Sequence, residues 1–178
     1  VAAAPRFVET FSQSPRIPSV RHELANILYK NGRLEHAERV ARALVESDGG
    51  DRHERAGWIV IGQVALERGA YPRAEKAWNQ ALALTPGDDK RRPDFRRRLA
   101  VSVYRQGEQA REAGRMEDAL RHFERVTRVA PETETAIRAR FDYGGLLLEL
   151  APWDEAVPAL SAFRDRYPQH SLASRISD

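Results

Sequence analysis

Five histidines, His22, His36, His53, His122 and His170, are the side chains best suited to hold a metal ion or to move a proton near neutral pH. A helical metal site needs such ligands on one face, typically four residues apart, with carboxylates close by. None of these five stands four residues from another and none lies in an acidic stretch, so the spacing predicts no metal and no cofactor. Acidic residues pair at Asp88 with Asp89 and at Asp154 with Glu155, at turns or helix starts, where capping and the helix dipole account for them better than general acid–base work. The absence of cysteine excludes disulfides, thiolate zinc sites and a cysteine nucleophile. There is no glycine-rich phosphate loop, no Gly-x-Ser-x-Gly and no His-Glu-x-x-His, and the expectation is that the chain is not an enzyme.

The densest charge is the run Lys90, Arg91, Arg92, Pro93, Asp94, Phe95, Arg96, Arg97, Arg98. Such a run could meet nucleic acid, an acidic partner or lipid headgroups, and a steep salt dependence would mark the first of these. Only one aromatic, Phe95, interleaves with the cations, which is not a base-stacking pattern; nucleic acid is therefore not the expected partner. The plainer reading is a solvated loop followed by the exposed start of a long helix reaching about Ala113.

The elements that must carry these groups are helical. Among 178 residues, 42% hydrophobic and 31% charged with a formal charge of +3, no run of about 18 apolar residues occurs, so a folded, soluble chain without a transmembrane helix is expected. An anchor of glycine, a large residue two on and alanine five on recurs at Gly32, Leu34, Ala37, at Gly69, Tyr71, Ala74 and at Gly114, Met116, Ala119; a fourth copy, Ala151, Trp153, Ala156, lacks the glycine. The anchors are 37, 45 and 37 residues apart. Apolar residues at Trp58, Ile61, Val64, Ala65 and then at Ala74, Ala77, Trp78, Ala81, Leu82 follow the spacing of two amphipathic helices. Gly69 would end the first of them in a left-handed turn, Pro72 would open the second and Pro86 would stop it. Pro158 falls inside a helix of the fourth copy and is expected to bend it.

Trp58, Gly62, Gly69, Tyr71, Ala74, Trp78, Ala81 and Pro86 resemble the tetratricopeptide repeat pattern, and the third and fourth copies keep Gly107, Phe123, Pro131 and Tyr143, Gly144, Phe163, Pro168. The resemblance implies an all-α fold, a right-handed superhelical α-solenoid of about four helix-turn-helix repeats near 18–51, 55–88, 93–133 and 135–170. Phe163, Tyr167, Pro168, Ser171 and Ala173 resemble the ending of repeats in bacterial envelope proteins, and Phe7, Phe11, Ser14 and Pro15 resemble a degenerate copy of it. On that basis residues 1–16 read as the tail of a preceding repeat and 171–178 as the start of a following one, within a single array. The same likeness implies the periplasm or cell envelope, the cytoplasm being left open.

Stacked helix pairs of this kind present the first helix of each pair on a concave side that binds extended segments. Counting from the anchors puts His22, Asn26 and Tyr29 there from the first repeat, Ile59, Gln63 and Leu66 from the second, Tyr104, Glu108 and Arg111 from the third, and Phe141, Gly145 and Leu148 from the fourth. Ile59, Tyr104 and Phe141 would form an apolar line edged by polar groups, as in a peptide groove, or would pack against neighbouring helices instead. A clamp for a terminal carboxylate, known in some members, is not expected: its positions hold His22 with Asn26, Val60, and Val101 with Arg105, so the lysines and the middle asparagine are missing. The resemblance thus implies a non-catalytic scaffold for a protein or peptide partner in an envelope assembly. The alternative is a regulatory or substrate-presenting module of a larger enzyme, such as a glycosyltransferase, or of a polysaccharide secretion complex.

Overall fold

The computed structural model describes residues 16–47, 49–150 and 153–176, and every regular element among them is helical. In chain order these are α1 (Ile17–Lys30), α2 (Leu34–Val45), α3 (Asp51–Glu67), α4 (Tyr71–Ala83), α5 (Arg92–Glu112), α6 (Met116–Val129), α7 (Glu134–Leu150) and α8 (Trp153–Arg166), followed by a 3-10 turn at Ala173–Arg175. They pair as consecutive hairpins, giving an all-α helical-repeat fold. None of them is long and apolar enough to cross a membrane. The chain divides into two compact units, residues 1–95 and 96–178, the division falling in the first turns of α5.

The anchor glycines end first helices as their spacing predicts. Gly32, Gly69 and Gly114 have φ of 69°, 68° and 73°, a left-handed conformation that costs a side-chain-bearing residue about 1–2 kcal/mol. At each, two N–H groups return to the last turn: Gly69 to Leu66 and Ala70 to Ala65, with the same pair at Gly32 and Gly114. The fourth anchor, Ala151 next to Pro152, and the segment containing Phe7, Phe11, Ser14 and Pro15 lie outside the described residues. Pro72 sits in the first turn of α4, and α8 continues through Pro158.

Within a hairpin the two helices touch through a small residue. A Cβ on Gly62 would lie 2.7 Å from the Trp78 ring, one on Gly107 2.7 Å from Phe123 and one on Gly144 2.6 Å from Leu160. Each partner is sixteen residues on, so the same contact recurs in three hairpins; in the first, Ala25 and Ala41 hold these positions and both are fully buried. In the unit of residues 1–95, Ala25, Leu28, Ala37, Ala41, Val60, Ile61, Val64 and Ala77 form one core cluster. Trp78 is fully buried there and stacks obliquely on Phe95, ring centres 5.8 Å apart. In the unit of residues 96–178, Phe123, Val126, Leu146 and Phe163 are buried, while Trp153, at the start of α8, is 74% exposed.

Among the described residues of the first unit, one charged side chain enters the core. Glu38 of α2 is 7% exposed and is surrounded by Arg42 one turn on (2.8 Å), by Arg68 from the α3–α4 turn (3.3 Å) and by Arg73 of α4. Burial pushes its carboxyl up, but the hydrogen bonds and charges of Arg42 and Arg73 outweigh this and hold it below the ordinary carboxylate value. The carboxylate therefore ties α2 to the next hairpin at a point where apolar packing alone would leave three cations together.

Two outcomes are expected. Gly107→Ala drives a methyl into Phe123 and lowers stability by about 1–3 kcal/mol in urea titration, whereas Gly145→Ala, in the same unit with nothing within 4 Å of the new Cβ, raises it by about 0.5–1 kcal/mol. Glu38→Gln lowers stability near neutral pH by about 1–2 kcal/mol, the arginines being partly solvated. Because the folded carboxyl titrates below its unfolded value of 4.5, its contribution is present above that value and is lost as pH falls through the folded one, so the variant's stability declines less steeply below about pH 4.5.

Candidate functional site

Within each unit the residues assigned to a concave side fall in three ranks, each rank taking one residue from each of the two first helices one repeat length apart. In the unit of residues 1–95, α1 carries His22, Asn26 and Tyr29 and α3 carries Ile59, Gln63 and Leu66, all partly exposed. Burial lowers the His22 pKa below its ordinary 6.5, the charges of His53 and Arg52 reinforcing this against Glu23, so the imidazole is neutral at physiological pH. The Tyr29 hydroxyl donates to the Glu67 carboxylate at the end of α3. Gln63 has its Oε1 buried without a hydrogen-bond partner, on the middle rank.

In the unit of residues 96–178, α5 carries Tyr104, Glu108 and Arg111, and α7 carries Phe141, Gly145 and Leu148. Tyr104 is buried, its ring 5.5 Å from Phe123, and its hydroxyl donates to Asp142 Oδ2 at 2.6 Å. Burial, then the hydrogen bond to Asp142 and that carboxylate's charge, push the phenol well above its ordinary range, so it stays a donor. Glu108 accepts from Arg105 at 2.7 Å, and Arg111 donates to Glu149 at 3.1 Å. Phe141 meets Phe163 edge-on at 5.7 Å and lies under the Arg175 guanidinium at 5.3 Å, while Leu148 is exposed. Between the two helices a depression of about 250 Å³ is lined by Val101, Tyr104, Arg105 and Glu108 of α5 and by Glu134, Thr135 and Arg138 of α7. Its wall offers both cations and carboxylates around a partly apolar floor, a surface able to hydrogen-bond a peptide backbone and its polar side chains.

Tyr29 with Glu67, Tyr104 with Asp142 and Arg111 with Glu149 are each 38 residues apart. The repeat length within each unit is 37, so in every case a donor on one first helix reaches the residue just past the equivalent place on the next. Reading along the ranks did not reveal Glu67, Asp142 or Glu149; a search for tyrosine or arginine followed by an acid one position beyond the repeat length would have.

The basic run divides in its roles. Arg92 places Nη1 on the Leu82 and Thr85 carbonyls at the end of α4, where Arg55 takes the Leu84 carbonyl at 3.0 Å, so it closes that helix and complements its dipole. Arg91 forms a two-pronged pair with Asp89 (2.9 and 2.6 Å) and also gives it a backbone N–H, which together hold that carboxyl far below its usual range. Phe95, the aromatic among the cations, is buried against Trp78. Lys90, Arg96 and Arg97 are exposed and Arg98 is partly so. The helix that follows runs to Glu112, close to the expected Ala113.

The histidines are used singly: His53 Nδ1 lies 2.8 Å from the Gly49 carbonyl, His122 faces Arg125, and His170 Nε2 lies 2.9 Å from Glu134. Among the described residues no three metal-binding side chains converge. Asp154 and Glu155 stand exposed in the first turn of α8.

Among solved structures, the chain is similar to YrrB, a tetratricopeptide repeat protein with an unusual peptide-binding site, at 20% identity and a TM-score of 0.47 over 96% of this chain and 78% of that one. It is similar to the nearly identical repeats of a Podospora anserina kinesin light chain at 15% identity and a TM-score of 0.44, covering 90% and 82%. The apo form of RapI matches at 9% identity and a TM-score of 0.48, covering 93% of this chain and 61% of that one. No curated protein matches the chain. Residues 22–89, 59–113 and 104–171 match the family described as Tetratricopeptide repeat, whose fold is in general a non-catalytic protein-interaction module. With these three overlapping stretches taking in all four hairpins, the chain belongs to the tetratricopeptide repeat family.

Proposed function

We propose that the chain is a non-catalytic scaffold that holds an extended peptide or a helix of a protein partner against its first helices, within a bacterial cell-envelope assembly. The observation that carries this reading is the depression between α5 and α7, where Arg105, Glu108, Glu134, Thr135 and Arg138 gather hydrogen-bonding groups of both signs on a wall that includes Val101. A peptide carries donors, acceptors and side chains in alternation, and a wall of this mixture matches it better than one of a single charge. The buried Tyr104 side chain then acts as a support between α5 and α7, while Arg105, Glu108 and the half-exposed Arg111 meet the partner. The envelope setting rests on the Phe163, Tyr167, Pro168, Ser171, Ala173 ending and its likeness to envelope repeats.

Photo-crosslinking residues placed at Glu108 and at Thr135, on the two sides of the α5–α7 depression, are expected to capture one and the same partner, with little capture from a probe at Arg121, which is exposed on α6. Equal capture from Arg121 would remove the first-helix surface from consideration, and a captured partner that is not an envelope component would remove the setting.

A further inference from the structure

Each unit also carries a notch framed by two second helices, with the intervening first helix as its floor. In residues 1–95 it measures about 290 Å³ and is bounded by α2, α3 and α4. In residues 96–178 it measures about 340 Å³ and is bounded by α6, α7 and α8. Glu124, Thr127, Arg140 and Tyr143 of the latter stand 82 residues after Arg42, Val45, Trp58 and Ile61 of the former, the same interval that separates Gly32 from Gly114. The notch is therefore a product of the repeat, and its chemistry is whatever the sequence supplies at those places.

That chemistry differs between the units. In the second, the rim residue Glu124 is taken by Arg128, and Arg140 donates to the Tyr167 hydroxyl at 2.7 Å. In the first, the rim is cationic: Arg42, Arg73 and Lys76 face one lining carboxylate, Glu46. Glu38 sits buried behind this rim and receives Nε and Nη2 of Arg42 and Nη2 of Arg73. A guanidinium has five N–H donors, so both arginines are held in place by the buried carboxylate while keeping donors on side chains that are 57% and 40% exposed. Such fixed cations bind an external carboxylate without first having to be ordered. Beside them Val45, Ile61 and the ring of Trp58, steadied by its N–H to Glu54 at 3.1 Å, form an apolar wall.

We propose that this notch in residues 1–95 is a docking site for an acidic segment of a protein partner. An Asp or Glu carboxylate would reach Arg42, Arg73 and Lys76, and an adjoining aliphatic or aromatic side chain would lie on Val45 and Trp58. The site takes Trp58 and Ile61 from α3 but none of the residues assigned to the concave side, and it does not depend on those residues binding anything.

The test titrates the full chain into fluorescent peptides of about ten residues: one alternating Glu and Leu, one with Gln for every Glu, one with Ser for every Leu, and an oligothymidine of similar length. The Glu–Leu peptide is expected to bind well above the other three. Lys76→Glu weakens that binding by about tenfold and Glu46→Lys tightens it severalfold, both variants keeping the parent melting temperature. Absence of Glu–Leu binding, equal binding of the Gln or Ser peptide, tighter binding of oligothymidine with the same response to Lys76→Glu, or responses within about twofold for both variants would each overturn the proposal.

Discussion

Within three hairpins one contact decides how closely the helices can approach: a glycine on the first helix lies against a large side chain sixteen residues later, at Gly62 and Trp78, Gly107 and Phe123, Gly144 and Leu160. There is no room for a methyl group at any of the three. Close approach buries Trp78 and Phe123 fully, and burial of one such aromatic is worth about 1.5–3 kcal/mol, far more than any single exposed ion pair in the chain. Helix spacing in turn fixes which side chains of consecutive first helices can meet, so the surfaces available to a partner follow from a packing constraint in the interior.

Much of this was legible because it is local. A glycine with φ near 70° at Gly32, Gly69 and Gly114 leaves a mark in the sequence that depends only on the few residues around it, and amphipathic spacing in α3 and α4 does the same. The roles of polar groups depend on what stands one repeat away, and these were not legible. Nothing near Glu38 in the sequence marks it as buried, because Arg68 and Arg73 are brought to it from 30 and 35 residues on. Tyr104 reads either as a groove residue or as one packed on a neighbouring helix; its ring lies on Phe123 and its hydroxyl on Asp142, while it also lines the α5–α7 depression. Arg92 reads as part of a solvated basic run, yet it closes α4 through the Leu82 and Thr85 carbonyls. In each case the periodicity was readable and the partner lay at a distance that periodicity alone does not specify.

Charge is correspondingly divided between structural and available groups. Arginines at 55, 68 and 92 act on helix ends or on a buried carboxylate, and exposed pairs such as Arg121 with Asp118 add little to stability. The net charge of +3 therefore says less about partners than the local arrangement does: a mixed wall between α5 and α7, and a cationic rim between α2 and α4.

The three tryptophans occupy very different surroundings: Trp78 is wholly enclosed, Trp58 is partly covered with its N–H on Glu54, and Trp153 stands almost bare at the start of α8. Two of them belong to residues 1–95 and the third already experiences water in the native state. Intrinsic emission during denaturation is for that reason a nearly one-sided signal: its shift to longer wavelength monitors the loss of the Trp78 enclosure, while melting of the other unit passes largely unseen unless an indole is introduced in place of Phe123 or Phe163.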